Sequence, residues 1–201
     1  MKKYLLMFLF ISASLSCFGQ KDAKARNILD KTVSSISNSG GIKINFKGTN
    51  NGTLLIKGDK FYLNSGEIQT WFDGKTQWSY VKNANEVNIT NPTLEDLQAV
   101  NPYYLLSSYR KGYNYKYIGE KSIGGKAAYE ILLTPEKKDQ IENITIFITK
   151  NYQPISINIK VKNQGTNDFQ ITNYNTKQNF GDIVFRFEKK KFPDVEVIDL
   201  R

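Results

Sequence analysis

EIQTWFDGKTQWSYV, Glu67 to Val81, consists of two strand-like runs joined by Asp73-Gly74. An Asp-Gly pair between such runs is a strong hairpin signal, because a type I′ turn needs φ > 0 at both central positions and these residues tolerate it. A two-residue loop predicts the register Phe72 with Lys75, Trp71 with Thr76 and Gln69 with Trp78. Trp71, Trp78 and Tyr80 then project from one face, and Ile68, Phe72 and Val81 from the other. Neither face is plainly wet. The hairpin is expected either to cover one apolar body and line another, or to sit in an ordinary sheet core.

Short strands continue on both sides of it. Thr53 to Lys57 and Phe61 to Asn64 lie upstream and Glu86 to Thr90 downstream, with local turns at Asn51-Gly52, Gly58-Asp59, Ser65-Gly66 and Asn83-Ala84-Asn85. Parallel neighbours would need crossovers of about a dozen residues, so these connections make an antiparallel meander. Further upstream, Ile42, Ile44 and Phe46 alternate with Lys43, Asn45 and Lys47 after Gly40-Gly41 has ended a helix. That helix is capped by Asp22, reaches Ser37, and carries Ala25, Ile28, Leu29, Thr32, Val33 and Ile36 on one stripe.

Asn91 to Tyr109 interrupts the meander. Thr93 with Asp96 resembles a capping box, and Asn101-Pro102 ends one short helix and starts another. The second helix carries Tyr103, Tyr104, Leu105, Leu106 and Tyr109, which either pack on the sheet or leave an apolar face open. From Tyr113 strands return: Ile144, Ile146 and Ile148, then Ile155, Ile157, Ile159 and Val161, then Phe169 and Ile171, then Ile183, Phe185 and Phe187 all alternate with other residues. Clean period 2 marks antiparallel sheet with one buried face. With three helical stretches to cover it, the expected fold is mainly β with a few helices (α+β): a strongly curved sheet with the helices on its concave apolar side. Lys189-Lys190-Lys191 reads as a solvated turn rather than a docking patch.

Met1 to Gln20 reads as a secretory signal, with Lys2 and Lys3 before the apolar run Tyr4 to Leu15 and small residues near Gly19. Cleavage is expected between Gly19 and Gln20, giving a signal at 1–19 and a single domain at 20–201. The run is short of the ~20 apolar residues that cross a bilayer. Lipid attachment at Cys17 is the rival reading, but Ser14 stands where its motif expects an aliphatic residue. Without Lys2 and Lys3 the 28 basic and 19 acidic residues leave a net charge of +7, which favours an anionic surface or partner without identifying it.

The chain has no histidine, and its one cysteine, Cys17, lies in the signal. A Ser-His-Asp triad, a Cys-His pair, an imidazole zinc site and a structural disulfide are thereby excluded from residues 20–201. A carboxylate pair survives in principle, as in a glycoside hydrolase. Glu86, Glu95, Asp96, Asp139 and Glu142 read instead as capping or solvated surface charges.

The chain resembles the periplasmic outer-membrane lipoprotein carriers of the LolA family. The hairpin Asp73-Gly74-Lys75-Thr76-Gln77-Trp78-Ser79-Tyr80 resembles the family's Asp-Gly-Lys-Thr-x-Trp-x-Tyr motif, followed by Glu86-Val87. Leu54-Leu55-Ile56-Lys57, Phe61-Tyr62, Asn101-Pro102 with Leu105-Leu106, Leu133-Thr134-Pro135, Phe185-Arg186-Phe187 and the ending Val195 to Arg201 match in the same order. The resemblance implies an incomplete antiparallel β-barrel, a half-barrel, whose helices form a lid over an apolar cavity. It implies a non-enzymatic activity without cofactor or metal: shielding lipoprotein acyl chains between an inner-membrane lipoprotein-releasing transporter and an outer-membrane acceptor. It implies a monomer in the periplasm and no nucleic-acid partner. Cavity and lid are expected to include Ile28 and Val33 of the first helix, Phe46, Phe61, Tyr62 and Leu63 of the early strands, and Trp71 and Trp78 of the hairpin. Leu97, Tyr104 and Leu105 of the lid and Ile146 and Ile157 of the later strands complete that expectation.

One departure stands out. The family carries an arginine that hydrogen-bonds to the lid, and its position here is Gly58, with Lys57 and Lys60 as incomplete substitutes because an ammonium lacks the planar fork. A lipid-binding envelope sensor on the same half-barrel, signalling to a protein partner, is the alternative function. An exported carbohydrate-active enzyme would need a carboxylate pair across a polar cleft.

Overall fold

The computed structural model describes residues 21–137 and 139–201; the signal segment and Cys17 lie outside the described residues. The chain opens with α1 (Ala23–Ser37), followed by β1 (Gly41–Gly48), β2 (Gly52–Lys57), β3 (Lys60–Asn64), β4 (Ile68–Phe72), β5 (Gln77–Val81) and β6 (Glu86–Thr90). Two short helices follow, α2 (Leu94–Val100) and α3 (Pro102–Ser108). Then come β7 (Tyr113–Ile123), β8 (Lys126–Pro135), β9 (Ile141–Thr149), β10 (Pro154–Val161), β11 (Gly165–Gln178) and β12 (Glu196–Asp199). The strands form one open sheet in the order β12-β6-β5-β4-β3-β2-β1-β11-β10-β9-β8-β7, an unclosed half-barrel. Neighbours are antiparallel except β12, which runs parallel to β6.

Asp22 starts α1, its carboxylate accepting the N–H groups of Lys24 at 2.7 Å and Ala25 at 3.0 Å. The same carboxylate accepts the Tyr117 N–H of β7 at 3.1 Å, so one cap also fastens the helix to the sheet edge. Register then decides which residues share the concave face. Ile42 pairs with Ile56, Ile44 with Leu54 and Phe61 with Phe72, while across the long pairing Phe46 meets Ile171 and Ile157 meets both Phe169 and Ile146. These apolar rows gather into two buried clusters. One joins Ala25, Ile28 and Leu29 of α1 to Leu105, Leu106 and Tyr109 and to β7–β10. The other joins Ile36 to β1–β4, α2 and the first turn of α3.

Two expectations are corrected. In the hairpin, Trp71 pairs with Trp78 and Phe72 with Gln77, a slip of two residues from the predicted register. The cause is the Asp73 side chain, which accepts the N–H groups of Lys75 at 3.1 Å and Thr76 at 3.0 Å and so builds a four-residue loop, in which Gly74 takes φ +100°. A slip of two preserves parity, and both tryptophans still share a face. Ile183, Phe185 and Phe187 belong to no strand. The chain from Gln178 to Glu196 crosses the convex face as a strap with two 3₁₀ turns, Asp182–Phe185 and Lys189–Lys191. It has to cross, because β1 already has β2 and β11 as neighbours and a parallel β12 beside β6 demands a long connection.

Candidate functional site

The lid is built from two helices of one and a half to two turns each. Thr93 and Asp96 close a reciprocal capping box at the start of α2. Asn101, fully buried, ends α2 through its N–H to Leu97 O at 2.9 Å and starts α3 by accepting the Tyr103 N–H on its side-chain oxygen at 2.9 Å. Its Nδ2 finds no hydrogen-bond partner among the described residues. Tyr104 packs edge-on against Phe61 and Phe72, each with ring centroids 5.8 Å away, and its hydroxyl donates to the Asp59 carbonyl in the β2–β3 turn. Burial and the nearby Asp59 charge push the Tyr104 phenol far up, so it stays protonated and able to donate.

At the other end of the lid, Tyr109 donates to Asp30 of α1 at 2.6 Å and Arg110 pairs with the same carboxylate. Burial pushes the Tyr109 phenol up to about 12, and the hydrogen bond to Asp30 adds to the shift. Burial alone would raise Asp30, but the bonds from Arg110 and Tyr109 outweigh it and hold the carboxyl below its ordinary range.

Between the two clusters the packing leaves a cavity of about 230 Å³. Its floor is Ile44, Phe46, Leu54, Ile56 and Leu63 on one side and Pro154, Ile157, Ile159, Phe169 and Ile171 on the other. Its roof is Ile36 of α1 with Gln98, Val100, Tyr103 and Leu106 of the lid. The lining is aliphatic and aromatic with few polar atoms, a surface that attracts apolar groups and offers little for bond chemistry.

Of the residues singled out in the sequence, Phe46, Leu63 and Ile157 lie on this wall. Phe61, Leu97 and Tyr104 pack behind it in the β1–β4 cluster, while Ile28, Leu105 and Ile146 belong to the other cluster. Val33 is half-buried on α1 and belongs to neither cluster. Tyr62, Trp71 and Trp78 are corrections: they face the convex side, opposite in parity to Phe61 and Phe72. There Trp71 packs against Tyr62 at 5.3 Å and against Phe187 and Phe192 of the strap at 5.6 and 5.9 Å. At the clasp position the two lysines turn away from the lid. Gly58 takes φ +57° in its turn, and Lys57 and Lys60 point to the strap, reaching Asp182 at 3.2 and 2.6 Å. Sequence reading missed Ile36, Ile44, Leu54, Ile56, Phe169 and Ile171; the alternation through Phe46 would have found Ile44, and its parity partners the rest of β1 and β2.

A half-barrel whose helices close an apolar space defines a lipid-binding class of protein. This chain belongs to the family of the outer membrane lipoprotein carrier protein LolA, whose model matches residues 15–165 and whose members are binding and carrier proteins. An uncharacterised conserved protein from Thermus thermophilus has a similar solved structure, with a TM-score of 0.63 at 14% identity over 88% of this chain and 99% of its own. The Mycobacterium tuberculosis lipoprotein LppX matches with a TM-score of 0.48 at 12% identity, covering 80% of this chain and all of its own. An uncharacterised protein of Methanocaldococcus jannaschii is 29% identical over 104 residues, 50% of this chain and 31% of its own. The chain thus spans about a third of the length of that curated relative.

Proposed function

We propose that this protein is a periplasmic carrier that shields lipoprotein acyl chains in the cavity beneath α2 and α3. It takes them from an inner-membrane releasing transporter and yields them to an outer-membrane acceptor. The observation that carries the reading is the apolar space itself, walled by Phe46, Leu54, Ile157 and Ile171 and roofed by a lid of two short helices. Each CH₂ withdrawn from water is worth about 0.8 kcal/mol, so holding an acyl chain requires apolar area and little else. Membership of the carrier family supports the direction of travel. No helix among the described residues is long and apolar enough to cross a membrane. The test is to add purified protein to spheroplasts and follow lipoproteins into the supernatant. A soluble complex of carrier and lipoprotein is expected; folded protein that neither releases a lipoprotein nor binds a diacylglyceryl peptide overturns the proposal.

A further inference from the structure

The cavity is small for such a cargo. Its roughly 230 Å³ falls below the ~300 to 1,000 Å³ of pockets that enclose a drug-sized ligand. Outside α2, between that helix and the ends of β7, β8 and β9, runs an open groove of about 980 Å³. Leu94 and Ile141 give it an apolar floor, and Glu95, Asp96, Glu136 and Asp139, with Lys111 and Lys137 among them, ring it with charge. Gln98 lies on the wall of both spaces. Its Nε2 donates to the Ser108 hydroxyl, which donates to the Tyr104 carbonyl, so a short chain of hydrogen bonds ties α2 to α3 where cavity and groove approach each other.

Resting on the carrier reading above, we propose that the groove is a second binding site. It holds the peptide portion of an acylated polypeptide while the acyl chains lie in the cavity, and Gln98 is the partition that swings aside to join the two spaces. The small cavity leaves part of such a cargo outside it, and the chemistry of the groove suits that part: an apolar floor for the first methylenes beyond the cavity, then charged walls for a solvated chain. The walls also set a preference. Glu95 has no ion-pair partner among the described residues, Glu136 is paired only with the exposed Lys21 at 3.0 Å, and Asp139 spends one oxygen on the Ile141 N–H. With four carboxylates against Lys111 and Lys137, the rim is acidic on balance on a chain of net charge +9 and favours a basic peptide segment over an acidic one.

The test uses synthetic peptides that begin with diacylglyceryl cysteine, one form carrying a benzophenone on the third residue and another a diazirine at the end of an acyl chain. After irradiation with the full protein, benzophenone adducts are expected at residues 93–98, 135–137 and 139–141, and diazirine adducts on β1, β10 and β11. Benzophenone adducts elsewhere, with diazirine adducts in the cavity, overturn the groove and leave acyl binding standing; missing diazirine adducts overturn the carrier reading itself. A peptide with lysines after the cysteine is expected to bind about threefold more tightly than one with aspartates, the scale of exposed ion pairs, and Glu95→Lys to erase the difference. Equal affinities in the wild-type protein overturn the acidic recognition.

Discussion

At the position where a family arginine is expected, Gly58 has no side chain to offer, and the same turn holds the lid through a backbone carbonyl instead. Tyr104 supplies the donor. Removing its hydroxyl in Tyr104→Phe forfeits one buried hydrogen bond, about 1 kcal/mol, and is expected to speed amide exchange across 94–108 by about fivefold. Lys57→Ala is expected to leave the lid alone and loosen 180–186, because Lys57 bonds the Phe180 carbonyl at 2.7 Å; the reverse pattern would return the clasp to the lysine. Asp30 gives the pH dependence. Its folded pKa lies below the ordinary 3.8, so its tie to Tyr109 and Arg110 contributes in full above that value and is lost as pH falls through the lowered one. The urea midpoints of wild type and Asp30→Asn should therefore differ at neutral pH and converge as the pH falls below the ordinary carboxylate range. A constant difference would show that the carboxylate charge is irrelevant.

The elements show what the sequence could and could not say. Strand positions are legible because alternation is local; which parity faces inward is not, as the naming of consecutive Phe61, Tyr62 and Leu63 for one cavity shows. Nor are the sides of the hairpin, since Phe72 and Trp71 are both apolar and only the strap crossing behind them decides which faces the helices. The strap reads as a strand because Ile183, Phe185 and Phe187 alternate; in the structure Phe185 is buried and Phe187 half-buried by packing of the strap on the sheet, while Ile183 points to solvent. Phe169 and Ile171 reach the cavity through β11, which joins residues more than a hundred positions apart, as in Phe46 with Ile171, and nothing local signals such a pairing. Tryptophan emission checks the sidedness. An acyl ligand is expected to leave it unchanged, whereas Phe192→Ala, which uncovers Trp71, is expected to shift it to the red. A blue shift on ligand binding would put the tryptophans back on the cavity.

As a whole the molecule is a half-barrel with two well-packed cores and an unfilled seam. Each cluster closes on its own helix contacts, and the seam falls where β1, β11 and β10 span the distance between them. Filling it should separate stability from binding. Ile171→Trp is expected to raise stability by about 0.5 to 2 kcal/mol, as cavity-filling substitutions do, while weakening palmitate binding; a gain in both would mean that the ligand lies elsewhere. The same geometry predicts where a ligand is felt. The lid is held by Tyr104 at one end, Tyr109 at the other and Gln98 between its helices, so its opening costs little compared with unfolding the sheet. Hydrogen exchange in the presence of a diacyl ligand should slow most in α2, α3 and the facing stretches of β1, β10 and β11. The strands β5, β6 and β12, beyond both the lid and the seam, should keep their rates. Equal slowing throughout would mean that the ligand stabilises the entire fold without passing through the lid, and the seam would lose its claim to be the binding site.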